Sequence, residues 1–404
     1  MSQVLPLSLG GRRPGRIRPE LGPLRAALSK LGDPHLAYPS ILVVGTNGKG
    51  STSAVLDAVL GAHGLRTGLT TSPHLVSVEE RIRIAGRDVD TGELERQIER
   101  LAAFRDLTYF ETITCAAFLA FAEAGVELAV LEAGMGGSWD ATRVADSIVA
   151  GLTNVGSDHP SWLGASAIDR ARDKGGALRG ARRAVLGSGV AAGLVPALAA
   201  PHAVEARSLV EVEEVGDERV RLAWPGHAIE ATPPLAGRHQ CANLELALAL
   251  ARAAEFAGIA PPLDADAVVR GLGEVRWPGR LDERRIGGRT ILVDGAHNPE
   301  GAAALAAHLE RRGERRNLLF SCLADKAVED MAGRLAPVVG EVVVVELDDE
   351  RAMPIDRLAG AFPGARRAPD LESALDLLPD PVLATGSLRL VGRLVGLAGR
   401  SDER

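Results

Sequence analysis

The chain has 404 residues, 46% apolar and 25% charged, with 46 Lys and Arg against 53 Asp and Glu for a formal charge of −7. At roughly 150 residues per domain this leaves room for two or three self-sufficient cores and excludes disordered and small disulfide-stapled scaffolds. There is no apolar run of about 18 residues, no signal-peptide core in residues 1–20, no basic excess and only 3% aromatic residues, so a membrane span, export and nucleic acid are excluded and the cytoplasm is expected. A monomer is the default expectation, because two domains of one chain suffice for a complete cleft.

In chain order, residues 1–20 are rich in Gly, Pro and Arg without periodicity and are read as a loosely ordered arm. An apolar run, Ile41 to Val44, enters a glycine-rich turn and then a helical pattern from Ser53 to His63. Strand-like runs follow at Leu69–Thr71, Leu128–Ala133, Ile148–Thr153 and Ala184–Gly187, with helices at Thr91–Phe104 and Glu111–Ala124. This alternation predicts a mostly parallel sheet with helices on both faces. Residues 203–232 depart from it: short strands at Glu205–Glu214 and Arg219–Trp224, with a turn at Gly216 and Asp217, predict a small β-rich part. A long helix is predicted over His239–Phe256 and another near Ala265–Gly271, before a linker made of Trp277–Arg280 and the charged stretch Asp282–Arg289. Strands at Ile291–Asp294, Leu318–Cys322, Val342–Leu347 and Val382–Ala384 then alternate with helices near Pro299–Arg312, Ala327–Leu335, Pro354–Ala361 and Leu371–Leu378. The fold class is therefore α/β, with an arm at 1–20, a large mostly parallel domain at 21–282 and a smaller Rossmann-like domain at 283–404.

Only four of the 46 basic residues are lysines: Lys30, Lys49, Lys174 and Lys326. In a chain that has otherwise turned to arginine, a retained lysine marks places where a guanidinium cannot replace an amine. Lys30 beside a turn reads as a surface charge. Lys49 stands in Gly45-Thr46-Asn47-Gly48-Lys49-Gly50-Ser51-Thr52, between a buried strand and a helix. Such a loop turns backbone N–H groups toward phosphates, adds the lysine's point charge and offers Ser51 or Thr52 to Mg²⁺. Gly50 between lysine and hydroxyl departs from the common GxxxxGK[ST] spacing. Glu132, after a strand and before Gly134, Gly136 and Gly137, should emerge at the carboxyl end of the sheet, where a hard oxygen ligand suits Mg²⁺. Cys115, Cys241 and Cys322 are far apart without metal spacing and read as buried free thiols.

From GTNGKGST at 45–52 onward the chain resembles the folylpolyglutamate synthase and dihydrofolate synthase family of the Mur ligase superfamily. The resemblance continues in the family's order through TSPHL at 71–75 with ERI at 80–82, FETIT at 110–114, LEAGMGG at 131–137 with DAT at 140–142, and GSDH at 156–159. DKGG at 173–176, GRHQ at 237–240 with Asn243, WPGR at 277–280, DGAHNP at 294–299, DK at 325–326 and TGS at 385–387 complete it. It implies a P-loop ATPase-like first domain and an ATP-dependent ligase that adds L-glutamate to dihydropteroate and also to reduced folates, through an acyl phosphate. It implies two Mg²⁺ ions held by Ser51, Ser72, Glu132, His159 and Lys174, the last as a CO₂ carbamate, although DKGG stands where the family more often has EKAG. It further implies that Gly45–Thr52, Asn243, Arg280, Asp294 and His297 contact ATP, with Lys49, Glu132, His159, Lys174, Asp294 and His297 serving the reaction. Residues 71–85 and 108–115 would shape the pterin site, where His74, Glu80 and Arg81 lie. The alternatives are another Mur-type amino-acid ligase and a nucleotide-binding protein without ligase activity.

Overall fold

The structure, a computed structural model, describes residue 12, residues 15–215 and residues 218–401, the last three as backbone only. Most of the 1–20 arm before Gly15, and the turn at Gly216 and Asp217, lie outside the described residues. The chain falls into two units: one comprising the chain up to His74, Val78–Pro234 and Gln240–Val275, the other Leu75–Ser77, Leu235–His239 and Arg276–Arg404.

The first unit is built on strands β1 (Ser40–Val44), β2 (Thr67–Thr70), β3 (Ile82–Ile84), β4 (Arg87–Asp88), β5 (Leu128–Glu132), β6 (Val149–Asn154), β7 (Arg183–Gly189) and β8 (Ala203–Glu205). They form one sheet in the order β4-β3-β2-β5-β1-β6-β7-β8. Its six strands from β2 to β8 are parallel, and only the β3–β4 edge runs antiparallel. The central strands β1 and β5 are buried along their whole length, as near-continuous apolar runs require when helices cover both faces. Those helices are α1 (Gly22–Lys30), α2 (Lys49–Ala62), α3 (Thr91–Arg100), α4 (Tyr109–Glu123), α5 (Pro160–Leu163), α6 (Ala167–Arg179), α7 (Val195–Leu198), α8 (His239–Phe256) and α9 (Ala265–Glu274). Phe118 and Phe121 of α4 are wholly buried, and Gly68 of β2 is what lets α4 approach: a Cβ there would sit 2.8 Å from the Phe121 ring. The β-rich part is an antiparallel sheet β11-β10-β9 made of Glu211–Glu214, Val220–Trp224 and His227–Ala231 in chain order. The single strand expected from Glu205 to Glu214 is thus two strands of different sheets, separated by a 3₁₀ turn at Ala206–Ser208.

The second unit has strands β12 (Asp282–Ile286), β13 (Arg289–Val293), β14 (Asn317–Phe320), β15 (Val342–Val345), β16 (Arg366–Ala368) and β17 (Val382–Thr385), in the order β12-β13-β17-β14-β15-β16. All neighbours are parallel except the β12–β13 pair. Helices α10 (Pro299–Arg312), α11 (Val328–Leu335), α12 (Ile355–Ala361), α13 (Leu371–Leu377) and α14 (Leu388–Ser401) flank it, giving two apolar clusters, one around Phe320 and Phe362 and one around Leu390 and Leu394.

The linker expected at Asp282–Arg289 is instead a β-hairpin. Asp282 to Ile286 pair with Val293 to Arg289, and Gly287 and Gly288, both at positive φ, make the turn. An edge strand with Glu283 and Arg285 exposed carries charge where a central strand carries apolar residues, so the segment looks like a linker in sequence. The change of unit accordingly falls at Val275/Arg276, where 282/283 was expected. Cys115 and Cys322 are buried free thiols, whereas Cys241 is only half-buried. Among the described residues no helix is long and apolar enough to cross a membrane.

Candidate active site

The carboxyl ends of β1, β5 and β6, three adjacent strands, deliver the residues of interest in the first unit. The loop after β1 is fastened to the end of β6. Asn47 N donates to Asn154 Oδ1 (3.0 Å), and its carbonyl accepts from Asn154 Nδ2 (2.9 Å) and Thr153 Oγ1 (2.6 Å). Gly156 N donates to Thr46 Oγ1 (2.9 Å). Gly45 and Gly48 have φ of +152° and +82°, and a side chain on either would collide with Thr153 Oγ1 or Asn243 Oδ1 respectively. The loop's shape therefore needs glycine at both positions, and it ends at Gly48 as the N-cap of α2, whose first turn holds Lys49, Gly50, Ser51 and Thr52. Ser51 and Thr52 are buried, and Thr52 Oγ1 has no hydrogen-bond partner.

Two lysines converge on one carbonyl. Lys49 Nζ donates to Gly45 O (3.2 Å) and Thr46 O (3.1 Å), and Lys174 Nζ, reaching in from α6, donates to Gly45 O (2.9 Å). Lys174 is 2% exposed. Burial, and then the charge of Lys49, bring its ammonium down to about 7, against the weaker opposing pull of Asp173 and Asp158. Helix α6 is drawn to the glycine loop by Asp173, whose Oδ2 accepts from Gly137 N (2.9 Å) and whose carbonyl accepts from Ser138 Oγ (2.8 Å). Burial raises the Asp173 carboxyl. Arg170 on the same helix donates to the carbonyls of Gly156, Gly164 and Ala165, holding the loop that carries His159.

Glu132 ends β5 buried, and its Oε2 accepts from the backbone N of Ser72 (2.9 Å). The contact of Ser72 with this carboxylate is thus made by its amide. The glycine loop that follows is shaped by Asp140, which accepts from Met135 N and from Thr142 N and Oγ1. His159 N-caps α5 in a left-handed conformation (φ 52°), with Nε2 3.5 Å from Asp158 Oδ2. Such a backbone is costly for a non-glycine residue. Asn243 is buried in α8, donates to Gln240 Oε1 (2.7 Å) and lies against Gly48, so it borders the glycine loop itself. Among the described residues no three His, Cys, Asp or Glu side chains are close enough to hold a metal by themselves.

In the second unit, Asp294 at the end of β13 is clamped by the backbone: Oδ2 accepts from Leu281 N (3.0 Å) and Oδ1 from Ala296 N (2.9 Å). Arg280 Nη1 donates to Gly279 O (2.9 Å) and lies so close to Gly295 that any side chain there would displace it. His297 Nδ1 lies 2.8 Å from Gly295 O. His239 joins this group; burial lowers its pKa, with Asp294 pulling the other way. Lys326 is buried beside Asp325 (3.4 Å).

Residues 43–164 match the Mur ligase middle domain and residues 279–388 the Mur ligase glutamate ligase domain. The dihydrofolate synthase/folylpolyglutamate synthase of Mycobacterium tuberculosis is 37% identical over 92% of this chain and 83% of its own length. The chain belongs to the dihydrofolate synthase/folylpolyglutamate synthase family of Mur ligases. The M. tuberculosis folylpolyglutamate synthase complexed with ADP and AMPPCP superposes on this ligase with a TM-score of 0.86 at 35% identity, covering 95% of this chain and 96% of that one. E. coli FolC in complex with DHPP and ADP does so with 0.86 at 25% identity, covering 98% and 97%. The Yersinia pestis bifunctional enzyme complexed with AMPPNP and Mn ion gives 0.84 at 28%, covering 96% and 95%.

Four residues that shape this ligase's first unit were not singled out from sequence: Asn154, Asp140, Arg170 and, as a positioning group, Asp173. Asn154 had a signal, a polar residue ending an apolar strand, and Asp140 and Asp173 stand within the DAT and DKGG blocks. Which backbone groups these side chains hold, those of Met135 and Thr142 for Asp140, of Gly156, Gly164 and Ala165 for Arg170 and of Gly137 for Asp173, is not disclosed by spacing.

Proposed function

We propose that the chain is an ATP-dependent ligase that joins L-glutamate to dihydropteroate, giving dihydrofolate, and also to reduced folates, extending their polyglutamate chain. The observation that carries this reading is the Gly45–Thr52 loop. Its glycine geometry is locked to β6 and α8, it leads into the N-terminus of α2, where backbone N–H groups favour anions, and two lysines donate to its Gly45 carbonyl. In the reaction the acceptor's carboxylate attacks the γ-phosphorus of ATP, the bond to ADP breaks, and the α-amine of glutamate then displaces phosphate from the acyl phosphate. Positioning and charge neutralisation supply the catalysis, so no nucleophilic side chain is needed.

We assign Gly45–Thr52 and Asn243 to ATP, and Arg280, Asp294 and His297 to nucleotide contact as well. Ser51, Ser72, Glu132, His159 and a carbamylated Lys174 are the proposed holders of two Mg²⁺ ions. An oxygen-rich set too sparse to cage a metal alone suits a cation that shares its shell with substrate phosphates. When bound, the ions would neutralise charge on the transferred phosphoryl group. Carbamylation is supported by Lys174 itself: burial and the charge of Lys49 lower its ammonium pKa, favouring the neutral amine that reacts with CO₂. The working form is read as a monomer in the cytoplasm, in keeping with free thiols at Cys115 and Cys322.

The test is to incubate the protein with MgATP, L-glutamate and either dihydropteroate or tetrahydrofolate, following phosphate release and product mass. Gain of one glutamate on both acceptors is expected, and ¹³CO₂-labelled protein should show a carbamate resonance that is absent from Lys174→Arg. If neither acceptor gains mass and neither stimulates ATP turnover, another Mur-type ligase or a ligase-inactive nucleotide binder is the correct reading.

A further inference from the structure

Two arginines ahead of α1 are bound in a way that their Gly-, Pro- and Arg-rich setting does not announce. The Arg12 guanidinium donates to three carbonyls of the turn that follows α3: Leu101 O (Nη2, 3.3 Å), Phe104 O (Nη2, 2.7 Å) and Leu107 O (Nε, 3.0 Å). Arg18 Nη2 donates to a fourth, Asp106 O (2.7 Å). The end of a helix and its following turn leave carbonyls without intrahelical partners, and a planar fork of five donors that stays charged at any working pH is well matched to several of them at once.

The same turn leads directly into the cap of α4. Thr108 and Glu111 form a reciprocal capping box, Thr108 N donating to Glu111 Oε2 (2.7 Å) and Glu111 N to Thr108 Oγ1 (3.2 Å). Arg18 Nη1 lies 4.0 Å from that Glu111 oxygen, and both side chains are largely buried. The first two residues of α4 are aromatic and half-buried. The Tyr109 ring lies under Arg81, 5.3 Å from its guanidinium carbon, and Arg81 Nε in turn meets His74 Nδ1 (3.0 Å). Phe110 presses its ring tip on Gly134, where a Cβ would come within 2.7 Å, in the glycine loop just beyond Glu132. An unbroken series of contacts therefore runs from Arg12 and Arg18, through residues 101–107 and the α4 cap, to two aromatic rings, Tyr109 under Arg81 and Phe110 against Gly134 in the loop just beyond Glu132.

We propose that Arg12 and Arg18 are positioning residues for the ligase's acceptor: by clamping residues 101–107 they hold Tyr109 and Phe110 where a flat aromatic acceptor ring is received. The proposal rests on the reading that the acceptor is a pterin-bearing acid. The contacts just described tie both arginines to residues 101–111, so their effect belongs to the acceptor and not to ATP.

The experiment uses the full chain with Arg12→Ala, Arg18→Ala, both together, and the paired Lys replacements. In the double alanine variant the KM for dihydropteroate should rise about five- to twentyfold while the KM for MgATP stays within about twofold, and the lysine pair, which keeps charge but not the fork, should fall between. An unchanged acceptor KM, or acceptor and MgATP values rising together, would overturn the assignment. Amide hydrogen exchange separates this from the functional reading. If the wild-type chain glutamylates no folate acceptor, that reading has failed, yet about tenfold faster exchange across residues 101–110 in the double variant still establishes the clamp, and unchanged exchange removes it.

Discussion

Lys49 and Lys174 share the carbonyl of Gly45, which puts two ammonium groups against one acceptor with no carboxylate between them. Neighbouring like charges are relieved by losing a proton or by meeting an anion, and burial and the charge of Lys49 move Lys174 in the first direction. A second buried titratable group lies further along α2, near the start of β2. Asp57 is held up to about 6 by burial, which outweighs its hydrogen bond to Thr67 and the field of Arg83, and its Oδ1 has no hydrogen-bond partner. A carboxyl whose folded value exceeds the usual 3.8 binds more protons in the native state across that interval, so folding stability falls as pH rises from about 4 to 6. Asp57→Asn removes the buried charge. Its thermal midpoint should exceed wild type at pH 7.5 by an amount corresponding to about 1–3 kcal/mol, and the gain should shrink toward zero by about pH 4. A gain that does not vary with pH would show that shape, and not ionisation, makes Asp57 costly.

At the scale of elements, the approach of α6 to the glycine loop decides where Lys174 points. A Cβ on Gly137 would lie 2.9 Å from Lys174 Cα, and one on Gly176 would overlap Ser138 Oγ and come within 2.7 Å of Ser138 Cα. Gly176→Ala should therefore push α6 off the loop, costing about 1–3 kcal/mol in denaturant unfolding and most of the ligase activity. Adding Ser138→Ala should not restore either, because the Ser138 Cα remains in the way; full rescue would mean that the hydroxyl was the whole obstacle. Ser138 also fastens the two segments, donating to the backbone carbonyl of Asp173. Much of the scaffold was legible in sequence. The strand–loop–helix around Lys49, the helices at His239–Phe256 and Pro299–Arg312, and the restart of alternation after residue 290 all rest on long apolar periodicity. The hairpin at 282–293, the β3–β4 edge and β16 were not, because edge strands are short, charged and exposed on one side. The convergence of Lys174 on Gly45 and of Arg12 on residues 101–107 joins positions 129 and about 90 residues apart, a relation that local pattern does not encode.

The whole molecule divides into two units that each enclose their own apolar clusters, and the four tryptophans divide with them: Trp139, Trp162 and Trp224 in the first, Trp277 in the second. Chains built this way need not unfold in one step, and a ligand raises the stability only of what it binds. The glycine loop proposed to hold the phosphates, with β6 and α8 fastened around it, lies within the first unit, while Arg280, Asp294 and His297, proposed to add further nucleotide contacts, belong to the second. MgADP at about one hundred times its dissociation constant should add about 2.7 kcal/mol to whichever transition dismantles that unit. Trp277→Phe leaves fluorescence from the first unit alone, so its unfolding curve should move to higher denaturant with MgADP by the full amount. The converse variant, with the three first-unit tryptophans replaced by Phe, reports Trp277 only. A smaller shift there means that the second unit unfolds on its own, whereas identical shifts in the two variants would mean that both units unfold as a single cooperative body.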